Sequence, residues 1–245
     1  MPGVDILPTA LSAAAFCLSV YATVTAQRKS SDERRRTIRG QLTDVLGKLT
    51  ALQLEGAKLQ HEAKSDQDYL AAVSGVLAQQ NGFLLDQAVY LSDEIPSLVK
   101  TYELNTIAVA NAAAGNLLLA EKYYKSAIKA SPNPLYKSQA VRSYAMFLYP
   151  QGRLNEGREQ FRKALAILKG EDNLVRSTNG QTYQMWALSE LRFARSPERA
   201  NEHFENARRE FVSIDAEAVR NMFLASLNAA RVSSPTTINP EARTP

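Results

Sequence analysis

The sequence predicts an all-α chain, and three observations lead there. Apolar residues recur at helical steps of three and four from Ile38 onward. A trio of small, aromatic and small residues occurs three times with the same internal spacing. An uncharged run of 21 residues, Ile6 to Ala26, stands directly ahead of a cluster of basic side chains. With 45% apolar and 22% charged residues, the chain has the composition of material that buries a core. These features divide it into residues 1–27, a transmembrane anchor; 28–95, a basic flank and a helical hairpin or coiled-coil region; 96–231, a domain of paired helices; and 232–245, a proline-containing tail expected to be disordered.

As a helix, the uncharged run would extend roughly 31 Å, about the thickness of the bilayer hydrocarbon. Thr9, Ser12, Ser19, Thr23 and Thr25 dilute its Leu, Phe and Val, but small hydroxyls can bond to their own helix backbone. Arg28, Lys29, Arg34, Arg35, Arg36 and Arg39 follow, whereas only Asp5 and the terminal amine precede it. The asymmetry predicts a single-pass protein with its N-terminus outside and the rest of the chain in the cytoplasm. A cleaved signal peptide would need a basic leader, and this chain begins Met1-Pro2-Gly3-Val4-Asp5. The same cations could meet anionic lipid, or could mark topology alone.

Beyond the flank, Ile38, Leu42, Val45, Leu49, Leu52, Gly56, Leu59 and Ala63 form one narrow apolar seam at steps of four and three. Gly47 and Gly56 weaken it as an autonomous coiled coil, at about 1 kcal/mol each relative to Ala. A second helix is expected from Asp68 to Leu91, with Asn81-Gly82 as a candidate break and Lys64-Ser65-Asp66 as the turn. The pair reads as a helical hairpin or as a contact between two copies of the chain.

The trios are Ala120, Tyr124, Ala127; Gly157, Phe161, Ala164; and Ala200, Phe204, Ala207. Steps of four and three put each trio on one helical face, where the small residues admit a neighbouring helix and the ring fills the space between. A partner helix precedes each, packing through Leu104, Ile107 and Ala108; Val141, Tyr144, Ala145 and Leu148; and Ala187, Leu188 and Leu191. Turns are expected at Ala113-Ala114-Gly115-Asn116, Gln151-Gly152-Arg153-Leu154 and Arg195-Ser196-Pro197, and a capping helix from Ala216 to Arg231.

On these residues the region from 97 to 213 resembles the tetratricopeptide repeat family, whose unit pairs two helices and ends in proline. The exit Ser131-Pro132-Asn133-Pro134 fits that pattern, while the trios lie 37 and 43 positions apart instead of the family's 34. The resemblance implies an α-solenoid whose leading helices line a groove for an extended peptide or a partner helix. By repeat phase the groove residues would be Tyr102 and Asn105, then Arg142, Met146 and Tyr149, then Met185, Ser189 and Arg192. Aromatic, Met and Arg side chains are the types that anchor interfaces. The family's clamp for acidic chaperone tails requires Lys and Asn where Asn105 and Val109 stand, so that mode is not expected.

No catalytic signature accompanies the helices. His61 and His203 are the only histidines, expected on solvated faces; His61-Glu62 lacks the second His of a zinc-protease helix, because Ser65 stands there. Cys17 is the only cysteine, so neither an intramolecular disulfide nor a multi-cysteine metal site can form within one chain. No phosphate-binding loop or nucleophile elbow occurs. A net charge of +4 is too small to indicate nucleic acid. The expectation is a membrane-tethered adaptor or scaffold for a protein partner, without cofactor or catalysis; a client-handling receptor and a structural oligomer built on the heptad segment are the alternatives.

Overall fold

The structure is a computed structural model that describes the backbone of residues 6–62 and 67–232 and the side chains of 29–56, 58–59 and 73–232. Every regular element among the described residues is helical. The chain divides into two compact units, Met1–Val99 and Lys100–Pro245.

The first unit is an antiparallel pair, α1 (Ile6–Glu62) and α2 (Gln67–Glu94). The uncharged run from Ile6, the basic flank and the apolar seam are therefore one continuous helix in backbone terms. The side chains of the expected anchor, that of Arg28 and the turn at Lys64-Ser65-Asp66 lie outside the described residues. Among those described, no helix is long and apolar enough to cross a membrane. The seam packs as the periodicity predicts: Leu42, Val45 and Leu49 are buried on α1, with Leu85 and Ala88 buried on α2. Gly56 sits where the Leu77 side chain approaches, so its missing Cβ makes room for α2. Asn81-Gly82 does not interrupt α2, which runs through both. The cations after the anchor are exposed at Lys29, Arg34, Arg35 and Arg36 and half-buried at Arg39. Arg34 pairs with Glu94 across the hairpin at 3.1 Å.

The second unit is built from three antiparallel pairs: α3 (Thr101–Ala113) on α4 (Leu117–Ala130), α5 (Pro134–Leu148) on α6 (Leu154–Ile167), and α7 (Asn173–Ser189) on α8 (Pro197–Val212). The leading helices also pack in sequence, α3 on α5 and α5 on α7, and α9 (Glu217–Val232) closes the series against α7 and α8. Local chemistry sets the boundaries. Asn133 caps α5 by accepting from the Tyr136 N–H at 3.0 Å, and Asp172 caps α7 by accepting from the Leu174 and Val175 N–H groups at 2.9 Å. Pro134 and Pro197 occupy first-turn positions, where a missing N–H costs nothing.

All three trios are buried in full, and the first two rings reach across to the leading helix of the next pair. Tyr124 lies 4.9 Å from Phe147, and Phe161 stacks on Trp186 at 5.4 Å. The approach is closest at two glycines: a Cβ on Gly157 would fall 2.6 Å from the Tyr149 ring, and one on Gly180 would fall 2.3 Å from the Phe211 ring.

Each pair turns through one left-handed residue, Gly115 (φ 81°), Gly152 (φ 75°) and Arg195 (φ 50°), always five positions before the first small residue of its trio. The bond closing the turn runs from the Asn116 N–H to Asn111 O and from the Arg153 N–H to Leu148 O, but from the Ser196 N–H to Glu190 O. The third turn therefore spans one residue more. That residue is absorbed in a π-helical turn over Glu190–Ala194, the kind of single-turn bulge that accommodates an insertion.

The two kinds of helical glycine give opposite outcomes on substitution. Gly47→Ala, exposed with nothing within 4 Å of the new methyl, should raise stability by about 0.5–1 kcal/mol through helix propensity. Gly180→Ala should lower it by about 1–3 kcal/mol through overpacking against Phe211. Urea unfolding followed by far-ultraviolet circular dichroism separates the two signs.

Candidate binding face

The inserted residue changes which side chains of α7 correspond to those of α3 and α5. Ala108 and Ala145 each precede their trio by twelve positions and are fully buried; the equivalent residue of α7 is Ala187, thirteen positions ahead of Ala200 and equally buried. In this corrected register the outward stripe of the leading helices is Tyr102, Asn105 and Val109; Gln139, Arg142 and Met146; and Gln181, Gln184 and Leu188. Tyr102 is 54% exposed, Val109 41% and Met146 40%. Gln139, Arg142 and Gln181 are half-buried; Leu188 is half-buried and packed against the cluster of Ala187, Ala200 and Phe204, as expected of a packing residue, and Gln184 is buried under α9 with its Nε2 donating to Ser226 Oγ at 3.4 Å.

Of the eight groove residues expected from sequence, Tyr102, Met146 and Arg192 are exposed on the leading helices or the turn after them, and Asn105 and Arg142 are half-buried on the outward stripe. Met185 is half-buried, packed against the cluster of Ala145, Tyr149, Phe161 and Trp186. Ser189 is buried, and its hydroxyl donates to the Met185 carbonyl within its own helix at 2.9 Å. Counting back from Ala200 without the inserted residue rotates α7 by about 100°, which is why these two were placed outward. Arg192 stands exposed within the π turn itself.

Tyr149 needs a different correction. It is 1% exposed, its ring lying over Gly157 and its hydroxyl donating to Glu190 Oε1 at 2.7 Å. Tyr149 keeps helical angles at the end of α5, where a 3₁₀ turn, Tyr149–Gln151, follows, and its contacts with Gly157 and Glu190 make it core. His203 also departs from expectation. It is buried and stacked on Trp186 at 3.9 Å, and burial lowers its pKa, so the ring is held neutral. Trp186 is buried and belongs to the core.

Two carboxylates join neighbouring pairs behind this face. Glu190, fully buried, receives both Arg158 nitrogens at 2.8 Å, the Tyr149 hydroxyl and the Trp186 indole N–H at 3.1 Å. Burial pushes its pKa up, but the bonds from Arg158, Tyr149 and Trp186 more than offset that, leaving it below the ordinary carboxylate value. Glu121 of α4 is met by Arg153 from the second turn at 2.7 Å, by Tyr144 of α5 at 2.6 Å and by Lys125 at 2.8 Å. Hydrogen bonds from Arg153, then Lys125 and Tyr144, hold its pKa at about 2. Every acceptor bond here is made by a neighbour in the fold, so both carboxylates read as fastenings. Sequence reasoning missed them because their partners lie about thirty positions away.

The distribution of charge separates the leading helices from the trailing ones. Neither α5 nor α7 contains an acidic residue, and the single acid of α3, Glu103, is buried and accepts from the Lys100 N–H at 2.8 Å as a cap. The acids sit on α4, α6 and α8, four of them on α8. No group of three or more His, Cys, Asp or Glu side chains among the described residues could hold a metal ion. The chain matches no family model, no curated protein and no solved structure. Val109, Gln139, Gln181, Gln184 and Leu188 were absent from the sequence-based set; the thirteen-residue interval from Ala187 to Ala200 was the available signal for those on α7.

The Glu121 cluster has a testable pH signature. With the folded pKa near 2 against an ordinary carboxylate value of 4.5, its contribution to stability is complete above about 4.5 and is lost as pH falls toward 2. The melting-temperature difference between wild type and Glu121→Gln should therefore be largest near neutral pH and should narrow progressively below pH 4.5. A difference independent of pH would mean that the carboxylate's charge is not what fastens α4 to the second turn.

Proposed function

We propose that the chain is a membrane-tethered adaptor whose paired helices form a tetratricopeptide-like groove that binds a segment of a cytoplasmic protein. The observation that carries this reading is the stripe on α3, α5 and α7. Equivalent positions on the first two leading helices keep Tyr102, Val109 and Met146 exposed and Arg142 half-buried, with Gln181 of α7 half-buried beside them, while the opposite faces of the same helices are buried. Aromatic, Met and Arg side chains grouped in this way are the composition of an interface centre. Further support comes from the recurrent left-handed turns, the buried trios and the sequential packing of the leading helices, all features that the repeat resemblance implies. The anchor rests on the uncharged run and the basic residues after it, Arg28 to Arg39.

Proximity labelling from a C-terminal fusion tests both parts. Cytoplasmic proteins should be recovered, and a specific subset should disappear in a Val109→Asp/Met146→Glu double variant that melts within about 2 °C of wild type, since exposed substitutions have small effects on stability. Labelling of exported proteins alone refutes the topology, and an unchanged set in the double variant refutes the groove.

A second reading, self-association through the hairpin, is favoured by Val76, Phe83 and Tyr90, which stand exposed at successive steps of seven along α2. Light scattering of the purified full chain should then give a dimer mass that falls to the monomer value in Phe83→Glu/Tyr90→Glu. A monomer mass for wild type at every concentration removes this reading.

A further inference from the structure

The outward stripe contains a cation whose counter-charge is not in this chain. Arg142 emerges from α5 toward α7 and is half-buried between them. Its hydrogen bonds are two contacts from one terminal nitrogen, Nη1, to Gln181 Oε1 at 3.4 Å and to Thr182 Oγ1 at 3.5 Å. Both acceptors are neutral, and both distances are at the outer limit for an N–H···O bond. A guanidinium has five N–H donors in a fixed fork, so most of its capacity is unused. Burial alone lowers its pKa, with no carboxylate contributing, yet an arginine stays charged in a protein.

Elsewhere in this unit partly buried arginines are paired with acids, Arg158 with Glu190, Arg153 with Glu121 and Glu156, and Arg176 with Glu171, or, in Arg220, donate to a backbone carbonyl, Ile214 O, at 2.9 Å. Arg142 has neither an acid nor a close acceptor, and it lies on α5, which carries no acidic residue. The Arg142 fork is thus a largely unmet cation on the stripe. A peptide supplies its complement, a carboxylate, the partner with which arginine bonds most strongly.

We propose that Arg142 receives a carboxylate, from an Asp or Glu side chain or a free C-terminus, of a peptide segment lying across α3, α5 and α7, with apolar residues of the same segment on Tyr102, Val109 and Met146. This rests on the groove reading above and adds the chemistry of the occupant. The site differs from the chaperone-tail clamp absent at Asn105 and Val109, because the charge that recognises the ligand stands on the second leading helix.

The test is selection of a phage-displayed library of random twelve-residue peptides on the full chain, followed by titration of the best binder as a synthetic peptide. Selected sequences should share one acidic position, or depend on the free C-terminus, at a fixed distance from an apolar residue. Arg142→Gln should weaken the acidic peptide at least tenfold, and neutralising the peptide's own acid should weaken it equally on wild-type protein. Combining the two changes should bring little further loss. The peptide-side change leaves the protein untouched, so it decides the matter even if Arg142→Gln fails to fold. Selected peptides that bind with neither an acidic side chain nor a free C-terminus, or an acidic peptide whose affinity stays within twofold when its acid is neutralised, overturn the Arg142 assignment and leave the groove standing. If no peptide is enriched, the groove reading falls and this proposal with it.

Discussion

The second unit depends on how closely two helices can approach when the residues between them are small and one ring fills the remaining space. Ala120 and Ala127 flank Tyr124, Gly157 and Ala164 flank Phe161, and Ala200 and Ala207 flank Phe204, all out of contact with water. Each ring buried in this way contributes about 1.5–3 kcal/mol from area alone, so the three trios supply a substantial part of what holds the pairs together. Everything outward follows from that seam. Once one face of a leading helix is committed to its partner and its flanks to the neighbouring leading helices, a single stripe is left, and its composition is free to serve recognition.

This seam was legible in the chain before any coordinates because its period is short and local. Ala120, Tyr124 and Ala127 announce a helix face by themselves, and Gly115 and Gly152 announce the turns. The stripe was legible only as far as the counting rule held. A π turn inserts one residue without leaving a proline, a glycine or a break in polarity, and Glu190-Leu191-Arg192-Phe193-Ala194 reads as ordinary amphipathic helix. Phase counted back across it was off by one, and Met185 and Ser189 were turned outward on paper while their side chains lie inward. Tyr149 lies inward for another reason, since its ring is received over Gly157 and its hydroxyl by Glu190, contacts that no local pattern announces. The Arg158–Glu190 and Arg153–Glu121 pairs were invisible because no local pattern joins residues thirty positions apart.

The first unit shows the same rule from the other side. Ile38 to Leu59 gave a seam at heptad-like steps, and the helix that covers it does so through Leu85 and Ala88, with Leu77 seated at Gly56. What the pattern left open was whether α2 or a second chain would cover it. The described residues answer for the seam, while Val76, Phe83 and Tyr90 form a separate exposed row on the far side of α2. The uncharged run before Arg28 belongs to the same helix as the seam, so any displacement of that end along the helix axis is transmitted to the hairpin without an intervening joint.

In an array where each helix pair touches mainly its neighbours, the pairs can in principle melt one at a time. Two carboxylates, Glu190 buried and Glu121 half-buried, work against that. Glu121 on the first pair is held by Tyr144 and Arg153 of the second, and Glu190 on the third is held by Tyr149 and Arg158 of the second. Opening either outer pair would strand an acid, an arginine and a tyrosine in a poorly solvated gap, with the desolvation penalty that unpaired buried charges carry. The middle hairpin thus grips both others, and the three gain or lose structure as one cooperative block.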